Sequence, residues 1–179
     1  MSMSFFLSFF SDLTTTTIGA LIGGLFSYLI VRIQLREKEK DKMSEQASKV
    51  ATWLTGITMS ANIDIPLDYV LYDVVINNNS NLPIYNVLVL SLGNRSQLNY
   101  KDIEYQSFVN YYPILVPGET KDTIGTNGSA LGIERPATAI LFTDSQEQHW
   151  YRNQVGKLDK LTEREYDKLV VTLGYRPPL

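Results

Sequence analysis

The feature that most constrains this chain is an uncharged apolar stretch from Leu13 to Val31, LTTTTIGALIGGLFSYLIV. At about 1.5 Å of rise per residue, a helix of this length spans about 28 Å, close to the hydrocarbon thickness of a bilayer. A secretory signal peptide would need a basic segment before the stretch and small residues at a cleavage site after it, whereas Arg32 and Gln34 follow. The stretch therefore predicts a transmembrane helix over 13–31.

The charges around this stretch predict its orientation. Residues 1–12 contain no lysine or arginine, whereas basic residues follow the stretch closely: Arg32, Arg36, Lys38, Lys40 and Lys42. The positive-inside rule then places residues 1–12 outside the cell and everything after the span in the cytoplasm. We expect a single-pass protein of the cell membrane.

Small residues recur at four-residue spacing within the predicted span. Gly19, Gly23 and Ser27 form one row, and Ala20 and Gly24 form a second row beside it. Rows of this kind let helix backbones approach closely in lipid. They favour helix–helix packing, either between two copies of the chain or with a partner transmembrane helix, although glycine is also common in membrane helices without such a role.

Residues 32–49 are predicted to form a charged helical stalk, because they contain neither glycine nor proline and many good helix formers. Met43, Ala47, Val50 and Leu54 fall on one helical stripe. A solvated spacer and a short coiled coil in a dimer both fit this pattern.

From residue 50 to residue 160 the pattern changes to short apolar runs separated by turn residues. Seven candidate strands without a long intervening helix predict a mainly β fold, an immunoglobulin-like antiparallel β-sandwich. Tyr72, Val74 and Ile76 alternate with more polar neighbours, as expected for one buried face and one mixed face. The candidate strands are 50–58, 69–77, 84–92, 103–112, 120–124, 137–143 and 149–152.

The last segment, 161–179, is predicted to hold a short helix and a tail. Thr162 and Glu165 have the spacing of a capping box, and the RPPL sequence cannot continue the helix. We expect this helix to cover an open end of the sandwich or to dock on a partner.

Several motifs occur in a characteristic order: QASKVATW (46–53), INNNSNLPIYNVLV (76–89), VPGE (116–119) and FTDSQEQHWYRNQVGKL (142–158). In this order they resemble a group of uncharacterised bacterial proteins that have one N-terminal membrane helix and a small cytoplasmic β-domain. The resemblance covers most of residues 13–160 and implies this architecture but no activity. The group commonly has glycine where this chain has Glu147, which argues against a tight positive-φ turn there.

The composition excludes several kinds of chemistry. The chain has no cysteine, which excludes disulfides, zinc–thiolate sites and cysteine nucleophiles, and a single histidine excludes multi-histidine metal sites. Its net charge of −3 argues against nucleic-acid binding.

His149 lies near Asp144 and Ser145, but all three fall in one predicted hairpin, whereas catalytic triads converge from separate elements. No pair of carboxylates is brought together by the pattern. We therefore expect no catalytic residue, no metal and no cofactor.

The sequence favours an interaction surface over a catalytic site. Trp150, Arg152 and Tyr85 are of the types that dominate interface energetics, although for Trp150 the core of the sandwich is the favoured position. The sequence thus favours a membrane-anchored, non-catalytic adaptor whose partners are the lipid bilayer, a second copy or partner helix, and an unknown cytoplasmic protein. The alternatives are an effector that perturbs the membrane, as in prophage exclusion or phage defence, and a small membrane-tethered hydrolase.

Overall fold

The structure is a computed structural model that describes residues 24–35, 38, 44–58, 70–126 and 134–177. The chain divides between Ser44 and Glu45 into two units. In the first unit, residues 24–35 are helical and their side chains are exposed. Within the described ranges, no helix is both long enough and apolar enough to cross a membrane. Residues 13–23 of the predicted span lie outside these ranges.

The second unit is mainly β and contains two antiparallel sheets. A three-stranded sheet has the order β1-β2-β5, and a five-stranded sheet has the order β4-β3-β6-β7-β8. The strands are β1 (Val50–Ile57), β2 (Val70–Asn78), β3 (Ile84–Gly93), β4 (Val109–Leu115), β5 (Gly118–Thr126), β6 (Pro136–Thr143), β7 (His149–Arg152) and β8 (Leu158–Leu161).

The two sheets pack face to face as a β-sandwich. Their shared core is apolar, and both sheets contribute to it through alternate residues of each strand. The alternation of Tyr72, Val74 and Ile76 predicted this arrangement, and all three side chains are buried. Other members of the core are Val50, Ile84, Val87, Val89, Leu115, Ile124, Ile140, Phe142 and Trp150.

The five-stranded sheet is buried on its outer face as well. A second apolar cluster joins the outward side chains of this sheet to the C-terminal helix α1 (Glu163–Thr172). The predicted capping box is confirmed, since Thr162 and Glu165 bond reciprocally at the start of α1. The helix does not close an open end of the sandwich. It covers a sheet face, because Tyr166, Leu169 and Val170 form an apolar stripe that matches this face.

The compact unit begins within the last residues of the predicted stalk. Residues 44–48 are helical, and Ala47 is buried in the core between the sheets. The Gln46 side chain donates to the carbonyls of Leu82 (3.3 Å) and Pro83 (2.9 Å) and accepts from the Ser145 hydroxyl (2.6 Å). This short segment therefore ties the chain entry to two loops at one end of the sandwich.

Two strand predictions need correction. The strand predicted at 103–112 begins only at Val109, and a 3₁₀ helix (Tyr100–Asp102) lies before it. It then runs through Pro113, which is tolerated because β4 is an edge strand. Strand β8 was not predicted. Its four residues, LDKL, are too few to show the alternation of apolar and polar residues that marks a strand.

Candidate interaction surface

Trp150 does not lie on a surface. Its side chain is 5% exposed and belongs to the core between the sheets. The indole Nε1 donates to Asp144 Oδ2 (2.7 Å), while Asp144 Oδ1 accepts from the backbone N–H groups of Gln146 (2.8 Å) and Gln148 (3.0 Å). Trp150 therefore cannot contribute to the predicted interaction surface, because its indole secures the β6–β7 hairpin from inside.

The same hairpin contains an unexpected backbone conformation. Glu147 has φ 60, so the positive-φ turn that a glycine would favour forms here with glutamate. The expectation that this departure disfavours such a turn is wrong. The Asp144 carboxylate holds the neighbouring N–H groups, and the Glu147 N–H itself donates to the Asp144 carbonyl (3.1 Å). These bonds fix the turn without glycine.

The other two predicted surface residues have different surroundings. Arg152 is half-buried and donates through Nη2 to the carbonyls of Ala47 (3.1 Å) and Ser48 (3.0 Å), so it anchors the entering chain. Tyr85 is exposed, at the rim of the five-stranded sheet opposite Ile114. Only Tyr85 thus presents its side chain to solvent as an interaction surface requires.

The histidine and its neighbours do not form a catalytic arrangement. His149 stacks on the ring of Tyr166, with ring centroids 3.9 Å apart, and its Nδ1 lies 2.9 Å from Thr143 Oγ1. Burial lowers the pKa of His149, against the opposing effect of nearby carboxylates. The Asp144 carboxylate instead accepts from the Trp150 indole, and the Ser145 hydroxyl donates to Gln46. Neither side chain therefore forms the hydrogen bond to His149 that a catalytic triad would need.

Two acidic side chains of the domain take part in separate structural contacts. Asp122 accepts from the Tyr112 hydroxyl (2.6 Å) and connects β5 to β4, whereas Asp144 is enclosed in its hairpin. Among the residues that the structure describes, no group of three histidine, aspartate or glutamate side chains could hold a metal ion.

A cleft of about 260 Å³ separates the 3₁₀ helix from α1. Here the Tyr100 hydroxyl donates to Glu165 Oε1 (2.8 Å). Hydrogen bonds from the Thr162 backbone, from Tyr100 and from the Thr162 side chain lower the pKa of Glu165 to about 2. The same bond to Glu165, with burial, raises the pKa of Tyr100 to about 12. Because these groups satisfy one another, they fix the start of the helix.

The outer face of the three-stranded sheet is a better candidate. Register places Trp53, Val75 and Lys121 in one row across β1, β2 and β5, all pointing away from the core. Trp53 is 40% exposed, whereas Val75 is only 5% exposed because its two neighbours flank it. We call this surface the Trp53 face: Trp53, Thr55, Asp73, Val75, Glu119 and Lys121, which line a shallow groove of about 510 Å³.

The Trp53 face combines an exposed aromatic side chain with charges of both signs. Lys121 forms an ion pair with Glu119 (3.1 Å), and both side chains are largely exposed. Asp73 accepts from the Thr58 hydroxyl (2.9 Å). An exposed tryptophan beside charged and polar side chains is typical of a binding hot spot.

The sequence contained a signal for this surface that its interpretation missed. Alternation along β1 places Trp53 on the opposite side from Val50 and Leu54, which pack in the core. The same alternation places Trp150 inward on β7. Alternation thus shows which side chains of a strand share one side. It does not show which face of the sheet is covered by another part of the domain.

The residues predicted to pack helices together fall only partly within the structure. Gly24 and Ser27 lie on the exposed helix of residues 24–35, and a side chain added at Gly24 would meet no neighbouring atom. Gly19, Ala20 and Gly23 lie outside the described residues.

Comparison with family models, curated proteins and solved structures finds no match to this chain. The resemblance to bacterial single-pass proteins therefore stays a prediction.

Proposed function

We propose that this chain is a membrane-anchored, non-catalytic interaction module. In this proposal the N-terminus lies outside the cell and an immunoglobulin-like sandwich in the cytoplasm pairs with a second copy through the Trp53 face.

The observation that carries the proposal is the helix of residues 24–35. Residues 24–35 contain one charged residue, Arg32 near the end of the helix. The large apolar side chains are between 44% and 62% exposed and occur on all sides: Leu25, Phe26, Tyr28, Leu29, Ile30, Val31, Ile33 and Leu35. A helix that is apolar on all sides is stable in lipid or inside a protein, and not in water. The uncharged residues before it and the basic residues after it favour lipid.

The strand order supports the immunoglobulin-like assignment. In such sandwiches the first, second and fifth strands share one sheet, and the third, sixth and seventh share the other. The orders β1-β2-β5 and β3-β6-β7 agree with this pattern, with β4 joined to the second sheet and β8 added at its far edge.

A second copy is the partner that best fits the charges of the Trp53 face. Glu119 and Lys121 point outward from the same strand, two positions apart. When two such faces meet across a two-fold axis, each lysine can lie opposite the partner's glutamate, with Trp53 near the axis.

The size of this face explains why a membrane would be needed. Three strands about 4.8 Å apart and about 30 Å long present roughly 400 Å² per copy, about half of a standard interface. Pairing would be weak in solution. Confinement to a bilayer raises the effective concentration of the second copy and compensates for the small area.

Anchoring is tested by fractionating cells that express the full chain. We expect the protein to stay in membranes after an alkaline carbonate wash, and Leu29→Arg to release it. A C-terminal fusion to a reporter that works only in the cytoplasm should be active, and a fusion to a reporter that works only outside the cell should be inactive. Release of the unaltered protein by carbonate would refute the anchor, and a reporter active only outside would refute the orientation.

Pairing is tested by disulfide cross-linking in isolated membranes, since the chain has no cysteine of its own. Thr55→Cys lies on the Trp53 face, and Val155→Cys, which replaces a side chain 64% exposed in the β7–β8 turn, is the matched control. We expect an oxidised dimer with Thr55→Cys that Trp53→Ala strongly reduces. Equal cross-linking at both positions would refute pairing through this face, as would a Thr55→Cys cross-link to a different protein.

A further inference from the structure

We infer that one end of the sandwich rests on the surface of the bilayer through four apolar side chains, Leu82, Tyr85, Ile114 and Val116. This inference rests on the proposed membrane anchor. We call these residues the entry-end patch.

The patch surrounds one buried polar residue. Asn78 Nδ2 donates to the carbonyl of Leu82 (2.8 Å) and to that of Leu115 (3.4 Å), next to Val116. Asn78 Oδ1 accepts from the hydroxyl of Ser80 (2.6 Å). The β2–β3 loop and the end of β4 are thus held together.

The side chains of the patch are exposed although they are apolar. Their exposed fractions are 44% for Leu82, 37% for Tyr85, 50% for Ile114 and 65% for Val116. Tyr85 and Ile114 are direct register partners on β3 and β4. Single exposed apolar residues are common on proteins, whereas several grouped around one end indicate a surface that is covered.

The path of the chain identifies the bilayer as the occupant. The chain enters the compact unit at Glu45, and Gln46 bonds the carbonyls of Leu82 and Pro83 beside the patch. Only residues 36–44 lie between the apolar helix and this entry, a tether of at most about 30 Å when fully extended. In the proposed anchor, the bilayer is thus the surface that lies within reach of the entry-end patch.

Two ion pairs at this end lower the cost of approaching a neutral lipid surface. Glu45 forms an ion pair with Lys49 (3.0 Å), and Glu119 forms one with Lys121 (3.1 Å). Paired charges lose less on approach to lipid than isolated carboxylates do. Leucine, isoleucine and valine then enter the interface, and the tyrosine ring takes the position that aromatic residues favour there.

The test uses the full chain in phosphatidylcholine vesicles, with single cysteines carrying an environment-sensitive fluorophore. Val116→Cys reports on the patch and Leu29→Cys reports on the helix. Ile57→Cys reports on the far end of the domain, because Ile57 is 49% exposed and ends β1 opposite the chain entry. Lipids with a nitroxide on the acyl chain quench the fluorophore by contact. We expect strong quenching at positions 29 and 116 and little at position 57.

A second variant excludes an effect of labelling. Ile114→Asp combined with Val116→Asp should abolish quenching of a label at Leu82→Cys while leaving position 29 quenched. Both replaced side chains are exposed, so an unchanged circular dichroism melt should accompany the loss.

Each outcome has a separate meaning. Quenching at position 29 with no more quenching at position 116 than at position 57 would overturn the inference and leave the anchor intact. No quenching at 29 would overturn the anchor itself. A disulfide-linked dimer of unlabelled Val116→Cys that forms in place of quenching would make this patch a contact between copies and would also overturn the inference.

Discussion

The carboxylate of Asp144 should be the most sensitive polar group of the domain. It is 2% exposed and accepts three hydrogen bonds, from the N–H groups of Gln146 and Gln148 and from the indole of Trp150. Hydrogen bonds to a charged group contribute about 1.5–3 kcal/mol each, and they are not additive when they share one acceptor. We therefore expect Asp144→Ala to lower the free energy of unfolding by about 3–4 kcal/mol, because a buried indole N–H also loses its partner.

Two further variants separate the components of this effect. Asp144→Asn keeps an acceptor for the backbone N–H groups but turns an amide N–H₂ toward the indole, and should cost about 1–2 kcal/mol. Combined with Trp150→Phe, it should cost less than the sum of the two single changes, because the phenyl ring has no N–H to leave unpaired.

The assay is urea denaturation of the full chain in detergent micelles, followed by far-ultraviolet circular dichroism. Ser145→Ala is the control in the same hairpin, since its exposed hydroxyl bonds only Gln46. A loss below about 1 kcal/mol for Asp144→Ala would refute the reasoning, because it would mean that the buried donors find other acceptors.

Three other perturbations have defined outcomes in the same assay. Burial lowers the pKa of His149 below its ordinary value of 6.5, so the unfolded chain takes up this proton first. The free energy of unfolding should therefore fall as the pH drops through 6.5, and His149→Phe, which retains the stack on Tyr166, should remove that slope. Hydrogen bonds hold the pKa of Glu165 at about 2 in place of 4.5, so stability should also be lost between pH 4.5 and 2, and less so in Glu165→Gln. Gly125→Ala should destabilise the domain by about 1–3 kcal/mol, since its methyl group would collide with the Phe108 ring; a neutral effect would show that this ring moves freely.

Some features followed from local sequence because their causes are local. The spacing of Thr162 and Glu165 satisfies the first N–H groups of a helix whatever surrounds it, and the capping box forms as predicted. The alternation of Tyr72, Val74 and Ile76 turns these side chains to one face of a strand in any sheet. Most strands were located correctly for the same reason.

Other features depended on contacts between distant segments. The apolar run of β3 shows that the strand is buried on both faces, but not that α1 covers the outer face. The residue type of Trp150 suited both an interaction surface and the core. The favoured core position is the one observed, because the Asp144 carboxylate and the opposing sheet enclose the side chain. The Trp53 face and the entry-end patch consist of residues from three or more strands and loops, and no local pattern connects them.

The sequence by itself thus determined an apolar stretch with a basic flank, a β-rich domain after it, the sides of its strands and the cap of its last helix, because each of these depends on neighbours within a few residues. The tertiary structure alone decided which strands share a sheet, which sheet face α1 covers and which tryptophan is exposed. Those properties depend on how surfaces far apart in the chain exclude water from one another.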